Sequence, residues 1–508
     1  AWRGEPSPRA YQQRAYEEAV AGNVIVNLPT GAGKTLVAVM LCDYFLEHMG
    51  GRLVLFLVNS VALVRQQADV IRQRSTFPDI SVAELSGGKA RWKKEAWQDA
   101  GGLKQHHVLV STAEMARKAM VDHAFLCEAN CSLILFDEAH HAVRGHPFVQ
   151  IVASLGPSAD VRIVGLTASF LHGKLCDPQR KRALLELNLR SRLWVPKEEE
   201  MQGYSLDQHF ERVPYEESDI DAAWAVERTE QILAAALEGA PDEARSALEG
   251  NAKKAGDVLV LLGQLGWSYF VAQALCPMAR AKMEAKARNI DNTKTKEQLQ
   301  EAMQHLSDLQ QRLLSACSGG ASAAEEGVEG ECDEEANAPA PRYSGKVEAL
   351  LSLLKYLSEE ADDSEQPLRC MIFCERVATT YPLSYLINDF LGKQVSLPVS
   401  GVSAMTESVR NANLEAFNVG RVGMLVATSS LEEGIDIQKC NVVIRFDIFH
   451  NVKSHVQGAG RARDKNARIY YFDNDPDDAI RDAELMQEVA RDPACPSLDP
   501  PVAAHHAG

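Results

Sequence analysis

Leu28-Pro29-Thr30-Gly31-Ala32-Gly33-Lys34-Thr35 follows directly on the apolar run Val24-Ile25-Val26-Asn27. A buried strand that enters a glycine-containing turn and then a helix starting at Lys34 aims several backbone N–H groups at one point. Such a turn and helix start form a nest for a phosphate. In this arrangement Lys34 reaches the outer phosphates and the Thr35 hydroxyl is placed to hold Mg²⁺. Thr30, Gly31, Ala32 and Gly33 form the wall of the cradle. The strand–turn–helix order also predicts a parallel sheet covered by helices on both faces.

Working outward, further short apolar runs support that sheet: 53–58, 108–110, 133–136 and 163–166, separated by helical patterns such as 62–74. Continuous apolar strands of this kind suit a doubly wound α/β domain. The run 133–136 ends in Asp137-Glu138-Ala139-His140. Two adjacent carboxylates at the end of a buried strand have a task. Asp137 is read as the Mg²⁺ carboxylate and Glu138 as the group that orients or deprotonates the attacking water. His140 is read as coupling that site to Thr167-Ala168-Ser169, whose hydroxyls are expected to bridge two lobes. Upstream, the Gln12 amide of Arg9-Ala10-Tyr11-Gln12 can donate to and accept from an adenine edge.

A second set of motifs lies near the other end. Ala427-Thr428-Ser429-Ser430-Leu431-Glu432-Glu433-Gly434-Ile435-Asp436 follows an apolar run, and Gln457-Gly458-Ala459-Gly460-Arg461-Ala462-Arg463 comes later. Thr428 is read as a nucleic-acid backbone contact, and Gly434 and Asp436 as facing the nucleotide ribose. Gln457, Arg461 and Arg463 would complete the nucleotide site from another domain and stabilise charge on the transferring phosphoryl group. Hydrolysis would then be tied to domain closure.

The expected organisation is a first α/β lobe over 1–195 that binds ATP, an all-helical insertion over 196–317, an acidic disordered linker over 318–342, a second α/β lobe over 343–475, and a tail over 476–508. In the insertion, 222–237, 257–275 and 278–317 carry helical apolar spacing. The linker holds Gly, Ala, Ser and Pro with seven acids, among them Glu325, Glu326, Asp333 and Glu335; it has too little apolar surface to order itself. Strands of the second lobe are expected at 370–374, 424–427, 442–446 and 467–472. The tail is Asp- and Pro-rich, with room for one short helix.

The 508 residues allow two to four domains, and 24% are charged. The net charge of -17 argues against a chain-wide electrostatic grip on nucleic acid. It leaves room for a strand held through backbone amides and hydroxyls. The longest clear apolar run is 53–58, far short of the roughly 18 residues of a membrane helix. The first residues form no secretory signal, and with Ala1 in place of a methionine a fragment or a processed chain is the expectation. Eleven cysteines are scattered. The Cys127/Cys131 and Cys370/Cys374 pairs lack neighbouring histidines and read as free thiols of a reducing compartment.

Leu28 stands where the strict phosphate-loop pattern has its first glycine, and Pro-Thr-Gly-x-Gly-Lys-Thr is instead the form of superfamily 2 helicases. The run Phe56-Leu57-Val58-Asn59-Ser60 with Gln66-Gln67 resembles the Dicer helicase. So do Gly165-Leu166-Thr167-Ala168-Ser169-Phe170-Leu171-His172-Gly173-Lys174 with Cys176-Asp177-Pro178, Val258-Leu259-Val260-Leu261-Leu262-Gly263, and Cys440-Asn441-Val442-Val443-Ile444-Arg445-Phe446-Asp447. The resemblance covers roughly residues 8–475 and extends to the RIG-I-like receptors. It implies two RecA-like lobes and a helical insertion that clamp double-stranded RNA, with ATP and Mg²⁺ as cofactors. It implies RNA contacts around Asn59, Ser60, Ser111, Thr112, Ser400, Gly401 and Thr428. A-form RNA is read by shape, phosphate and 2′-OH, so little base specificity is expected. Cytoplasm is the implied compartment, with the nucleus as the alternative, and small-RNA processing or antiviral recognition the implied context. Possible partners are dsRNA-binding proteins or C-terminal ribonuclease domains of a longer parent.

Three departures qualify the resemblance. Ala139 stands where Dicer has Cys or a related residue. Ala459 stands where an arginine is usual, which would slow hydrolysis if that arginine is a principal finger. No paired acidic ribonuclease III signature, PAZ-like module or dsRNA-binding domain is recognisable, so this chain alone is not expected to cut RNA. It reads as the N-terminal part of a longer Dicer-like protein or as a stand-alone relative. Two other readings are a DNA-junction helicase of the Hef type, which also carries a helical insertion, and a catalytically weak dsRNA clamp.

Overall fold

A computed structural model describes residues 7–86, 97, 102–157, 160–171, 176–201, 209–217, 220–237, 240–287, 293–321, 340–364, 366–401, 404–428, 440–448 and 467–492. The chain divides into two compact units. One is formed by 1–206, 450–460 and 477–508, the other by 207–449 and 461–476.

The first unit is a seven-stranded parallel sheet. Its strands are β1 (Val24–Asn27), β2 (Leu53–Val58), β3 (Val82–Leu85), β4 (Val108–Thr112), β5 (Cys131–Asp137), β6 (Arg162–Thr167) and β7 (Arg192–Trp194). They lie in the order β3-β4-β2-β5-β6-β1-β7. All six residues of β2 and all seven of β5 are buried, as their unbroken apolar runs require. Five of the strands match the apolar runs of the sequence. The two additions, β3 and β7, are the edges of the sheet, where strands are short and weakly patterned. Helices cover both faces and leave a separate apolar core on each.

The second unit is a six-stranded parallel sheet: β8 (His209–Arg212), β9 (Cys370–Cys374), β10 (Ser396–Val399), β11 (Met424–Thr428), β12 (Val442–Arg445) and β13 (Arg468–Tyr471), in the order β10-β11-β9-β12-β13-β8. The fold is therefore two parallel-sheet lobes with a helical insertion. Two boundaries differ from the expectation. The segment from 196 is not helical throughout, because β8 lies within it and pairs with β13, His209 opposite Arg468 through Arg212 opposite Tyr471. The insertion proper contains helices at Ala222–Ala236, Asp242–Ala252, Ala255–Tyr269, Leu275–Ala287 and Thr293–Ala321. Of the expected disordered linker, 322–339 lie outside the described residues; its two ends are ordered, 318–321 as the end of the Thr293–Ala321 helix and 340–342 through Pro341 O and Arg342 O, which accept from Gln264 N and Leu265 N.

The other difference is at the C-terminus. Pro476–Arg491 is a 16-residue helix, longer than the one short helix expected in the tail. Its Met486, Val489 and Ala490 join the core of the first unit. The buried Arg182 guanidinium donates to Val489 O (2.6 Å) and Asp492 O (2.7 Å). The last carbonyls of a helix have no following turn to bond to and carry its negative dipole end, which a cation at this position satisfies.

The insertion is joined to the second lobe by its backbone as well as by apolar contact. The run 258–263 ends at Gly263, whose φ of +80° breaks the Ala255–Tyr269 helix. A Cβ at Gly263 would come within 2.7 Å of the backbone of Tyr343 and Ser344, so only glycine fits. Across this break, Gln264 N donates to Pro341 O and Leu265 N to Arg342 O. Ser344 donates to Leu261 O and caps the helix Gly345–Asp363 by accepting from Val347 N. One apolar cluster then runs from the insertion through Leu350 and Leu354 to the strand residues Ile372 and Val426.

The sequence reading also passed over one long apolar stretch. Ala255–Ala287 contains a window of mean hydropathy 1.5, long and apolar enough to cross a membrane by composition alone. Here 61% of that window is buried, packed within the insertion and against the second lobe, the environment a core helix needs.

Candidate active site

The C-terminal ends of β1, β6 and β5 lie side by side in the first sheet. Asn27 pairs with Thr167, and Leu166 pairs with Asp137. Three motifs drawn from residues 28 to 169 thus meet on one sheet edge, where open α/β sheets place their ligands. Leu28 N donates to Thr167 O at 2.9 Å and continues the β1–β6 pairing into the loop.

The loop needs glycine twice. Gly31 (φ +82°) and Gly33 (φ +83°) are both left-handed, and Gly33 is the N-cap of the helix Lys34–His48. A Cβ at Gly33 would come within 2.2 Å of Gln12 Nε2. Lys34 Nζ lies across the loop and donates to Leu28 O (3.0 Å) and Pro29 O (3.4 Å). The phosphate loop, its lysine and its helix N-terminus therefore fit an anion in shape and in charge.

Gln12 is 4% exposed. Its Nε2 donates to Ala32 O at 2.7 Å, and its Oε1 accepts from Arg9 N at 2.8 Å. The amide expected to read adenine is thus engaged with the loop itself. Beside it, Tyr11 OH donates to the same Ala32 O at 3.0 Å. Tyr11 was passed over as a site residue. Its position beside Gln12 was the only signal in the sequence.

Asp137 ends β5, and its Oδ1 accepts from Glu138 N at 3.1 Å. Glu138 has left-handed backbone (φ +50°, ψ +53°), an uncommon conformation for a residue with a side chain. His140 Nδ1 lies 2.9 Å from Thr167 Oγ1 and 3.3 Å from Glu138 Oε2. His140 thereby links the carboxylate to the next strand end. Thr167 and Ser169 are fully buried. Thr167 Oγ1 donates to Ser169 O and accepts from Ser169 N, and Ser169 Oγ accepts from Leu171 N. Both hydroxyls thus have partners within the first lobe.

Among the described residues no three His, Cys, Asp or Glu side chains converge to cage a metal ion. A magnesium ion needs no such cage, since it keeps several waters and takes one or two protein oxygens besides phosphate. Asp137, 9% exposed at a strand end, and Thr35 in the first turn of the Lys34–His48 helix suit that role. The described cysteines are all free; Cys131, Cys370 and Cys374 are buried and Cys127 is exposed. Burial pushes the Cys131 thiol up to about 12 and raises those of Cys370 and Cys374 well above the ordinary thiol range.

The expected nucleic-acid contacts divide by burial. Ser60 is exposed, and Asn59, Thr112 and Gly401 are half-buried. Both polar atoms of the Asn59 amide are buried without a hydrogen-bond partner. Ser111 departs from the expectation: it is fully buried, and its hydroxyl donates to Leu85 O and Thr112 O. Ser400 and Thr428 are also buried, at 0% and 4% exposure. Ser400 follows β10, and Thr428 closes β11 opposite Cys374. Gly434, Asp436, Gln457, Arg461 and Arg463, with Ala459, lie outside the described residues.

Comparison with known proteins agrees with this geometry. Residues 5–172 match the family model described as "Type III restriction enzyme, res subunit", and 345–465 match the "Helicase conserved C-terminal domain". The chain is 28% identical to "Dicer-like protein 1" of Aspergillus niger over 96% of its own length and 32% of that protein's. It is 29% identical to "Endoribonuclease Dicer homolog 2" of Arabidopsis thaliana over 94% of its own length and 35% of that protein's. It thus spans about a third of the length of these curated relatives. In fold it is similar to the Pyrococcus furiosus Hef helicase domain, with a TM-score of 0.51 and 19% identity, over 93% of this chain and 97% of that one.

Proposed function

We propose, from the premise that this chain is a superfamily 2 helicase region of Dicer type, that it is a double-stranded-RNA-stimulated ATPase. The observation that carries the ATP site is the meeting of Gly31, Gly33 and Lys34 with Asp137 and Thr167 at one sheet edge. In this reading, N–H groups of the loop and of the helix start bind the phosphates. Lys34 leaves Leu28 O and Pro29 O to neutralise the outer phosphates. Magnesium, held by Thr35 and Asp137, neutralises phosphate charge when bound. Glu138 orients the attacking water and accepts its proton, and His140 holds the Glu138 carboxylate in place against Thr167. Gln457, Arg461 and Arg463 belong to the same reading as groups that close on the nucleotide, with Gly434 and Asp436 at the ribose.

The RNA assignment rests on sequence similarity to Dicer-like chains and on the exposed Ser60 that follows β2. RNA phosphate and 2′-OH groups supply acceptors and donors of the right kind. Cleavage of RNA is not assigned to this chain, and small-RNA processing or antiviral recognition is the proposed setting.

The test is ATP turnover with no nucleic acid, single-stranded RNA, blunt double-stranded RNA, duplex DNA and branched DNA, with Lys34→Ala as blank. Selective stimulation by double-stranded RNA supports the proposal. Stimulation by branched DNA alone replaces it with a junction-DNA helicase. Tight RNA binding with no turnover makes the protein a clamp and gives the alanine at 459 a consequence.

A further inference from the structure

We infer that Tyr11 is a positioning residue for the phosphate loop, acting through the Ala32–Gly33 peptide; this rests on the ATP-site reading above. A trans peptide is planar, and its C=O and N–H point in opposite directions. Fixing the Ala32 carbonyl therefore fixes the direction of the Gly33 N–H. That N–H sits where the loop becomes the helix and faces away from Tyr11 and Gln12. Glycines on both sides of Ala32, each at positive φ, leave this peptide with little steric resistance to rotation. Something outside the loop must hold it.

Two donors do so: Tyr11 OH at 3.0 Å and Gln12 Nε2 at 2.7 Å, both on Ala32 O. They are not equivalent. Tyr11 is fully buried, in the same core cluster as Leu28 and Ala32, so its hydroxyl cannot swing elsewhere. Gln12 sits on a short flexible side chain and, in the proposed function, turns to the base. When it does, Tyr11 continues to hold the carbonyl. The exposed Arg9 completes the arrangement by donating from its guanidinium to Tyr11 Oη at 2.8 Å. A cationic donor polarises the phenol and strengthens its own donation to Ala32.

This division of labour has a distinctive signature. Loss of the Tyr11 hydroxyl weakens binding through the phosphates, which every nucleoside triphosphate shares. Loss of the Gln12 amide weakens recognition of the base. For Tyr11→Phe we expect KM to rise about fivefold for ATP and for GTP alike, the size expected for one net hydrogen bond. The ATP:GTP preference stays as in the wild type, and kcat changes less than KM. Gln12→Ala instead erodes the ATP:GTP preference.

Equal KM values for Tyr11→Phe and wild type overturn the inference, whatever the melting temperature does. A shifted ATP:GTP ratio in Tyr11→Phe also overturns it, because the residue then reads the base. If the phenylalanine variant does not fold, Arg9→Ala carries the test. It must weaken ATP and GTP together by about twofold, and a changed ratio or no change overturns the relay. Wild-type protein without saturable ATP binding sinks the ATP-site reading and this inference with it. Wild-type binding that Lys34→Ala abolishes and Tyr11→Phe leaves untouched sinks this inference alone.

Discussion

In the first unit the sheet separates two cores, each closed by helices of that unit. In the second unit a single cluster runs from Ile372 and Val426 in the strands, through Leu350 and Leu354, to Leu259 and Leu306 in the insertion. Both sheets are parallel, and both need cover on two faces. The first obtains it from crossover helices between successive strands. The second shares its apolar surface with a helical domain inserted between β8 and β9. Chemistry and stability are thus separated: the motif residues cluster at the strand ends of a self-sufficient lobe, while the insertion and the second lobe depend on each other.

The largest effects should fall on chemistry alone. Lys34→Ala and Glu138→Gln should each lower kcat by roughly a hundredfold or more, the scale of losing an electrostatic stabiliser of phosphoryl transfer. Thermal unfolding should be almost unchanged, since both residues lie at strand or helix ends outside the two cores. A large drop in melting temperature would break the separation.

Gly263→Val tests the other side of the comparison. The position combines φ +80° with backbone 2.7 Å from a Cβ. We expect about 4 kcal/mol of destabilisation in urea unfolding, from strain and lost contacts together. The transition of the second unit should shift while ATP binding by the first persists. Unfolding of the insertion alone, with the second sheet intact, would show that the shared cluster is not cooperative.

Lys346→Met sharpens the point. Lys346 Nζ lies 2.7 Å from Asp473 and 3.5 Å from Asp447, with both Lys346 and Asp447 side chains only 6% exposed. It also sits over the Phe446 and Tyr215 rings, and Tyr215 OH donates to Asp473 at 2.6 Å. The network ties the segment after β8 to the helix that follows the insertion and to the ends of β12 and β13. Removing the cation takes from two carboxylates the counter-charge they share and should cost about 3 kcal/mol, read from the urea midpoint of the same transition.

The smallest effect is on pH dependence. Burial raises the Asp447 carboxyl above its usual value of 3.8, against the opposing pull of Lys346. A carboxyl raised on folding binds protons more readily in the native state. Its contribution to stability is therefore largest below 3.8 and declines as pH rises through the raised native value. Asp447→Asn should flatten that decline in unfolding midpoints measured across the acid range. An unchanged slope would assign the dependence to other carboxyls.

Most central strands were legible because a doubly covered strand must be continuously apolar, as 53–58 and 133–136 are. The strands that escaped notice lie at the sheet edges. β8 reads His209-Phe210-Glu211-Arg212 and is largely exposed, and β10 contains Pro398, which ordinarily argues against a strand. The helix Pro476–Arg491 was underestimated because its composition is acidic and only Met486, Val489 and Ala490 reach the core. The nucleotide motifs were legible because Gly-Lys-Thr and Asp-Glu are local chemical necessities. The burial of Ser111 was not, since a hydroxyl serves a sheet carbonyl or a ligand equally well.

The sequence by itself determined where a phosphate loop, a carboxylate pair and two parallel sheets had to form, because strand burial and phosphate binding restrict residue type over a few consecutive positions. Only the tertiary structure decided which distant groups share an atom. Tyr11 and Gln12 meet at the carbonyl of Ala32, His140 stands between Glu138 and Thr167, and Gly263 lies against Tyr343. Such convergence depends on packing between elements separated by 20 to 80 residues, and residue pattern along the chain carries no record of it.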